Sequence, residues 1–227
     1  MLAALLCGVV LAVGQAAWAT TSGLNNIPTA DVVPHNVLVL QQINNLGSDQ
    51  QTLQHLGFKY GPAENWEIGL DDRVHASGSG AGVGGAGGLP AGPMVLQFKY
   101  RYEVPRSGTS LALGVANLGE DSDEAGDSFP YAVLTRDFRS LRGHLGYGGE
   151  SAGRGLFLGV DKTLKNGTVV RADWIQTDDR KESLTSVGFM KSIGGPWVVE
   201  GWVSFPTADG VEDTFTLKFN YVLDLRS

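Results

Sequence analysis

From Thr214 to Leu225 apolar and polar residues alternate. Phe215, Leu217, Phe219, Tyr221, Leu223 and Leu225 stand at every second position, with Thr214, Thr216, Lys218, Asn220 and Asp224 between them. A period of two marks a β-strand, because successive side chains point to opposite faces. The same reading along the chain predicts about twelve strands: Asn36 to Asn44, Thr52 to Tyr60, Trp66 to Val74, Met94 to Val104, Thr109 to Leu118, Phe129 to Phe138, Leu141 to Gly149, Gly155 to Asp161, Thr168 to Thr177, Ser183 to Lys191, Trp197 to Phe205 and Thr214 to Leu225. Met94 to Val104 is among the cleanest, setting Leu96, Phe98, Tyr100 and Tyr102 against Gln97, Lys99, Arg101 and Glu103. Asn36 to Asn44 and Ser183 to Lys191 assign their faces poorly. The 32 glycines and the scarcity of helix signals fit an all-β chain with many turns.

The connections between these strands differ in length. Asn45 to Gln51, the Gly-rich His75 to Pro93, the acidic Gly119 to Ser128 and Pro206 to Asp213 are the longer ones. Gly61 to Asn65, Pro105 to Gly108, Arg139-Ser140 and Ser192 to Pro196 are tight. Long and short connections on opposite sides suit an up-and-down antiparallel transmembrane barrel with an even strand number and both termini on the periplasmic side. No stretch after the N-terminal run approaches the ~18 consecutive apolar residues of a membrane helix, so a membrane is crossed only by closing the sheet.

At the N-terminus, the apolar run Met1 to Val13 precedes Ala17-Trp18-Ala19, a small-x-small cleavage pattern. The expected organisation is a signal peptide over 1–19, a periplasmic N-terminal segment over 20–35 and the barrel over 36–227. Cys7, the only cysteine, falls in the first of these, so the mature part has no disulfide or thiolate metal site.

Charge assigns the faces. Lys59, Glu67, Lys99, Arg101, Glu103, Arg142, His144, Arg171, Asp173, Glu200 and Lys218 stand on polar faces and are expected to line a lumen of mixed charge. Trp66, Phe98, Tyr100, Tyr102, Tyr147, Trp174, Trp197, Phe215, Phe219 and Tyr221 are expected on the lipid side or in interfacial girdles, as are Phe129 and Tyr131 near the ends of their strand. A soluble barrel with an apolar, ligand-binding interior would invert this arrangement. Net charge is −7 and no basic cluster suggests nucleic acid.

Catalytic and metal chemistry find little purchase. Gly78 to Gly88 has no Gly-Lys-Ser/Thr and opens no helix, which argues a surface loop rather than a phosphate cradle. Glu120 to Asp127 lacks the spacing of an EF-hand loop; its carboxylates could meet lipopolysaccharide phosphates through divalent ions. Asp71-Asp72 with His75, and Asp178-Asp179, supply the residue types of a rim protease. An outer-membrane hydrolase would instead need His144 to meet Ser186 or Ser204, and no Gly-x-Ser-x-Gly occurs. No cofactor and no metal are expected.

The stretch Gly23-Leu24-Asn25-Asn26-Ile27-Pro28-Thr29-Ala30 at the head of the mature chain, followed by amphipathic strands, resembles the YjbH-type outer-membrane barrels associated with exopolysaccharide production. The end of the chain, Leu225-Arg226-Ser227, lacks the terminal aromatic of barrel-assembly signals. The residues thus imply an outer-membrane barrel of a Gram-negative-type cell envelope, acting as a passive pore or as a structural or export-associated barrel. Its expected partners are membrane lipid, lipopolysaccharide, the barrel-assembly machinery, and small solutes or polysaccharide.

Overall fold

The computed structural model describes residues 22–47, 52–77, 94–119, 128–149, 154–176, 182–208 and 210–226. The segments 1–19, 78–88 and 120–127 and the Asp178-Asp179 pair lie outside them, as do the side chains of Asp72 and His75.

Twelve strands form: β1 (Val37–Gly47), β2 (Thr52–Ala63), β3 (Trp66–Ser77), β4 (Val95–Val104), β5 (Thr109–Leu118), β6 (Phe129–Asp137), β7 (Arg142–Gly149), β8 (Arg154–Thr163), β9 (Val169–Gln176), β10 (Ser183–Gly194), β11 (Trp197–Pro206) and β12 (Thr214–Asp224). Each pairs antiparallel with its neighbours in sequence, and β12 pairs with β1, which closes the sheet. Closure leaves no unpaired edge, the condition for a sheet to sit in hydrocarbon. Among the described residues no helix is long and apolar enough to cross a membrane.

The two ends of the barrel differ as the connection lengths suggest. Both chain ends of the barrel and the connections 64–65, 105–108, 138–141, 164–168 and 195–196 lie at one end; the opposite strand ends, Gly47, Thr52, Ser77, Val95, Leu118, Phe129, Gly149, Arg154, Gln176, Ser183, Pro206 and Thr214, lie at the other. The tight turns require backbone in the left-handed region, met by Asn65 at φ 66° and Gly195 at φ 56°.

The wall is turned polar side in. Leu111, Leu113, Leu145, Leu156, Leu158, Val187 and Phe189 are exposed on the outside, while Glu67, Lys99, Asp161, Arg171, Asp173 and Glu200 are buried. An apolar-lined soluble barrel would show the reverse, so that alternative does not fit this wall. At the short-turn end Trp66 packs on Tyr100 at 4.9 Å and Trp197 on Tyr221 at 4.8 Å between ring centres. Phe98, Tyr102, Tyr147 and Phe215 are exposed, and Trp174 and Phe219 half-exposed, on the same outer face.

Phe129 and Tyr131 depart from the girdle expectation. Both point inward, packed against the buried cluster around Phe157. The cause lies across the sheet, where glycines leave sockets: a Cβ on Gly114 would fall 2.4 Å from the Tyr131 ring, and one on Gly148 2.5 Å from that of Phe129. Glycine at these wall positions lets large rings fold flat against the backbone.

Candidate functional site

The interior of the barrel is not empty. Residues 22–35, expected to extend from the barrel as a separate periplasmic segment, run inside it. Leu24, Ile27, Ala30 and Val33 are all buried, and their partners belong to nine different strands. The cause is compositional: Leu24, Ile27, Ala30 and Val33 stand at every third position, and apart from the isolated His35–Gly61 bridge the segment has no strand partner in the wall among the described residues, so it finds its burial among inward-facing side chains.

Two apolar clusters fix its ends. Near the short turns Val33 packs with Val37, Val39, Met190, Val198 and Val222. Further in, Leu24, Ile27 and Ala30 pack with Ala112, Val133 and Phe157. Gly159 of β8 makes room there, since a Cβ on it would sit 2.3 Å from the Leu24 side chain. Between the clusters the backbone of the segment is hydrogen-bonded by the wall. Val33 N–H donates to Glu67 Oε2 at 2.9 Å and Ala30 N–H to Thr135 Oγ1 at 2.9 Å. Asn25 N–H and Asn26 N–H both donate to Asp173 Oδ2, at 2.8 and 3.3 Å. Buried amides need such partners, and a carboxylate accepting two of them is a strong one. The tip is a tight turn: Leu24 N–H donates to the Ile27 carbonyl, Thr29 N–H to that of Ser22, and Gly23 and Pro28 form a bridge. The stretch Gly23 to Pro28 is thus the turn of an internal plug.

Side-chain charge completes the seal. Arg142 contacts Asp31 of the plug at 3.0 Å and Asp161 of β8 at 2.6 Å. Lys99 donates to the carbonyls of Ser22 and Asp31 and stands 3.9 Å from Glu67. Lys59 donates to Ser22 Oγ. Arg171 pairs with Glu200, which also meets Lys218 at 3.4 Å and accepts from Asn220 Nδ2 at 2.6 Å.

Of the polar-face residues singled out in the sequence, ten lie on the inward face, and these contacts tie most of them to the plug or to one another. Arg101, on that face too, donates to Ser110 Oγ at 3.1 Å. Glu103 is different: its side chain is 69% exposed and meets Arg101 at the short-turn rim, 3.5 Å away. Strand β4 ends one residue later, so the alternation that reaches Glu103 has no interior left to face. Asp161, also on a polar face in the sequence, is buried in the interior. Asp31, Thr135 and Trp202 belong to the interior and were not singled out. Inward Thr135 and Trp202 fell in predicted strands and were legible by parity; Asp31 lies outside any strand and had no signal.

Ser186, Ser204 and His144 do not come together as one cluster. Ser186 and Ser204 lie 2.9 Å apart, both taken by Asn26 Nδ2 at 2.5 and 3.0 Å, on β10 and β11. His144 lies on β7 and meets Thr135 Oγ1 at 2.9 Å and Asp161 at 3.4 Å. That hydroxyl, imidazole and carboxylate have the composition of a triad, but Thr135 Oγ1 already accepts from Ala30 N–H and His144 is buried. A nucleophile needs an open face toward substrate.

Above the turn, toward the long connections, the lumen opens into a chamber of about 570 Å³. Its floor is the Gly23 to Pro28 turn, and Lys59, Lys99, Lys218, Trp202 and Tyr131 stand in its wall.

No protein-family model matches the chain, and no curated protein does. Solved structures resemble its shape. The KdgM porin superimposes with a TM-score of 0.60 at 10% identity, covering 81% of this chain and 98% of its own. A KdgM porin in complex with disordered oligogalacturonate gives 0.60 at 12% identity over 82% and 98%. An outer-membrane channel from Pseudomonas putida F1 gives 0.53 at 13% identity over 82% and 94%. The fold of this chain is that of the outer-membrane channel barrels.

Proposed function

We propose that the protein is a passive channel of the outer membrane of a Gram-negative bacterium, whose lumen is narrowed by its own N-terminal segment. The observation that carries this reading is the polarity of the closed wall: exposed Leu, Phe and Trp outside, buried Arg, Lys, Asp and Glu inside. Water-facing charge within and apolar surface without have a stable setting only in a bilayer. The folds of the KdgM and Pseudomonas putida barrels support it. Insertion by the barrel-assembly machinery and contact with lipopolysaccharide belong to the same reading, as does cleavage after Ala19. The chamber, with amides, lysines and aromatic rings, suits small polyhydroxylated solutes; the oligogalacturonate in the KdgM complex supports that choice. The YjbH-type likeness supports a link to polysaccharide.

The test is direct. The purified protein should run faster unheated than boiled on gels, fractionate with outer membranes and give small, stable conductance steps in planar bilayers. Recovery in the soluble periplasmic fraction would overturn the membrane reading, and silence in the bilayer from a folded, inserted protein would overturn the channel.

A further inference from the structure

The chamber is unevenly charged. Among its lining residues Lys59, Lys99 and Lys218 face one carboxylate, that of Asp71, in a chain whose net charge is −7. The three lysines are held differently. Lys99 has Glu67 behind it and Lys218 has Glu200, which Arg171 already occupies. Lys59 has no carboxylate within ion-pair distance among the described residues; its partner is the hydroxyl of Ser22, a neutral acceptor on the plug. On an adjoining arc of the wall Trp202 is 7% exposed, and its Nε1–H has no acceptor among the described residues. Burying an indole N–H without a partner carries a cost that a ligand oxygen would remove. The volume fits a sugar-sized molecule, and the Tyr131 ring and the Gln41 and Asn45 amides suit its hydroxyls.

We propose that the chamber binds a small carboxylated solute of sugar-acid size, its carboxylate received by Lys59 and Lys218, and that binding loosens the plug by drawing Lys59 away from Ser22. The inference rests on the reading of the interior as a solute-accessible lumen. A charged acceptor outcompetes a hydroxyl for an ammonium group, the more so where little water intervenes. The plug tip then loses one of the two lysines that hold Ser22, while its apolar anchors Leu24 and Ile27 stay in place. The solute that enters thereby weakens the barrier ahead of it.

The folded full-length protein in detergent is titrated with D-glucuronate and with D-glucose, following tryptophan fluorescence and equilibrium dialysis. Glucuronate should bind saturably and glucose should not. Lys59→Met should weaken glucuronate binding by ~10-fold, the scale of one charge-assisted hydrogen bond, and Trp202→Phe should abolish most of the fluorescence response. Equal binding of the two sugars, or unchanged affinity in a Lys59→Met protein that retains its fast gel mobility, would overturn the site. For the plug, Ala30→Cys in a Cys7→Ser background reports opening through thiol labelling, since Ala30 is fully buried. Saturating glucuronate should speed labelling, and Lys59→Met should remove that response. Bound glucuronate with unchanged labelling would overturn the coupling. Glucuronate binding without any ion current would overturn the channel reading and leave the site standing.

Discussion

In the floor of the lumen both arginines meet carboxylates: half-buried Arg142 has Asp31 and Asp161, and buried Arg171 has Glu200. In the chamber above it Lys59 has only a serine hydroxyl, and the Trp202 indole N–H has no acceptor among the described residues. Both regions use the inward positions of the same wall strands, so fold does not distinguish them. The floor is also apolar where the plug packs, through Val33, Val39 and Met190 below and Leu24, Ile27 and Phe157 further in. A region with matched charge and packed methyls holds a segment in place, whereas one with donors lacking charged acceptors is suited to receive something from outside.

The strongest way to break this contrast is to remove the floor. Deleting residues 22–33 takes away the turn, the apolar anchors and Asp31 while leaving all twelve strands. Conductance in planar bilayers should then rise several-fold, with gel mobility reporting whether the barrel still closes. An unchanged conductance from a closed barrel would mean that the plug does not limit flow.

Next comes the charge that anchors the floor to the closing seam. Glu200 accepts from Arg171 and Asn220 and faces Lys218, so Glu200→Ala strands a buried guanidinium. Removing one partner of a buried pair costs about 3–5 kcal/mol. The urea midpoint of the detergent-folded protein should fall accordingly. The matching change in the chamber, Lys59→Met, removes a lysine bound to a neutral group and should move the midpoint far less. Equal losses would erase the distinction between the two regions.

A smaller effect tests the apolar anchor. Leu24→Ala empties a site enclosed by Ile27, Phe157 and Ala112, a change worth about 2–3 kcal/mol for a buried leucine. Because Leu24 belongs to the plug and not to the wall, the loss should appear as faster thiol labelling at Ala30→Cys with the barrel's unfolding midpoint little moved. A large drop in the midpoint would make the plug part of the barrel's own core.

The wall was legible in the sequence and the plug was not, for physical reasons visible in single residues. A strand with water on one side and lipid on the other writes a period of two, and Leu96 to Glu103 or Phe215 to Leu223 could be read directly. Strand β1 read poorly because Val37 and Val39 face not water but Val33 of the plug, so both faces carry apolar residues there; its outer Gln42 and Asn44 blur the pattern further. Strand β10 is blurred likewise by Met190. Phe129, Tyr131, Phe157 and Trp202 turn inward for the same reason, filling space beside a segment whose presence no local pattern announces. The plug itself, Ser22 to His35, has neither the period of a strand nor that of a helix, because its partners are spread around the whole wall. Its buried Leu24, Ile27, Ala30 and Val33 stand three residues apart, a spacing that belongs to neither element.

The finest discrimination concerns Asp31, the plug's only carboxylate. Its side chain is 21% exposed and Arg142, its partner, 23%, so solvent screens the pair more than it does Arg171 and Glu200. Arg142 also keeps Asp161 when Asp31 is changed, and is never left alone. Asp31→Asn should therefore cost only about 1 kcal/mol, near the upper end for a partly exposed pair, and the loss should shrink as salt is raised. In an Arg142→Gln background the same substitution should cost still less, since the interaction is already gone, and the difference between the two costs measures the pair itself. If Asp31→Asn costs as much with Arg142 absent as with it present, the plug is held at this point by its backbone bonds to Thr135 and Glu67 and not by charge, and the floor seals by packing alone.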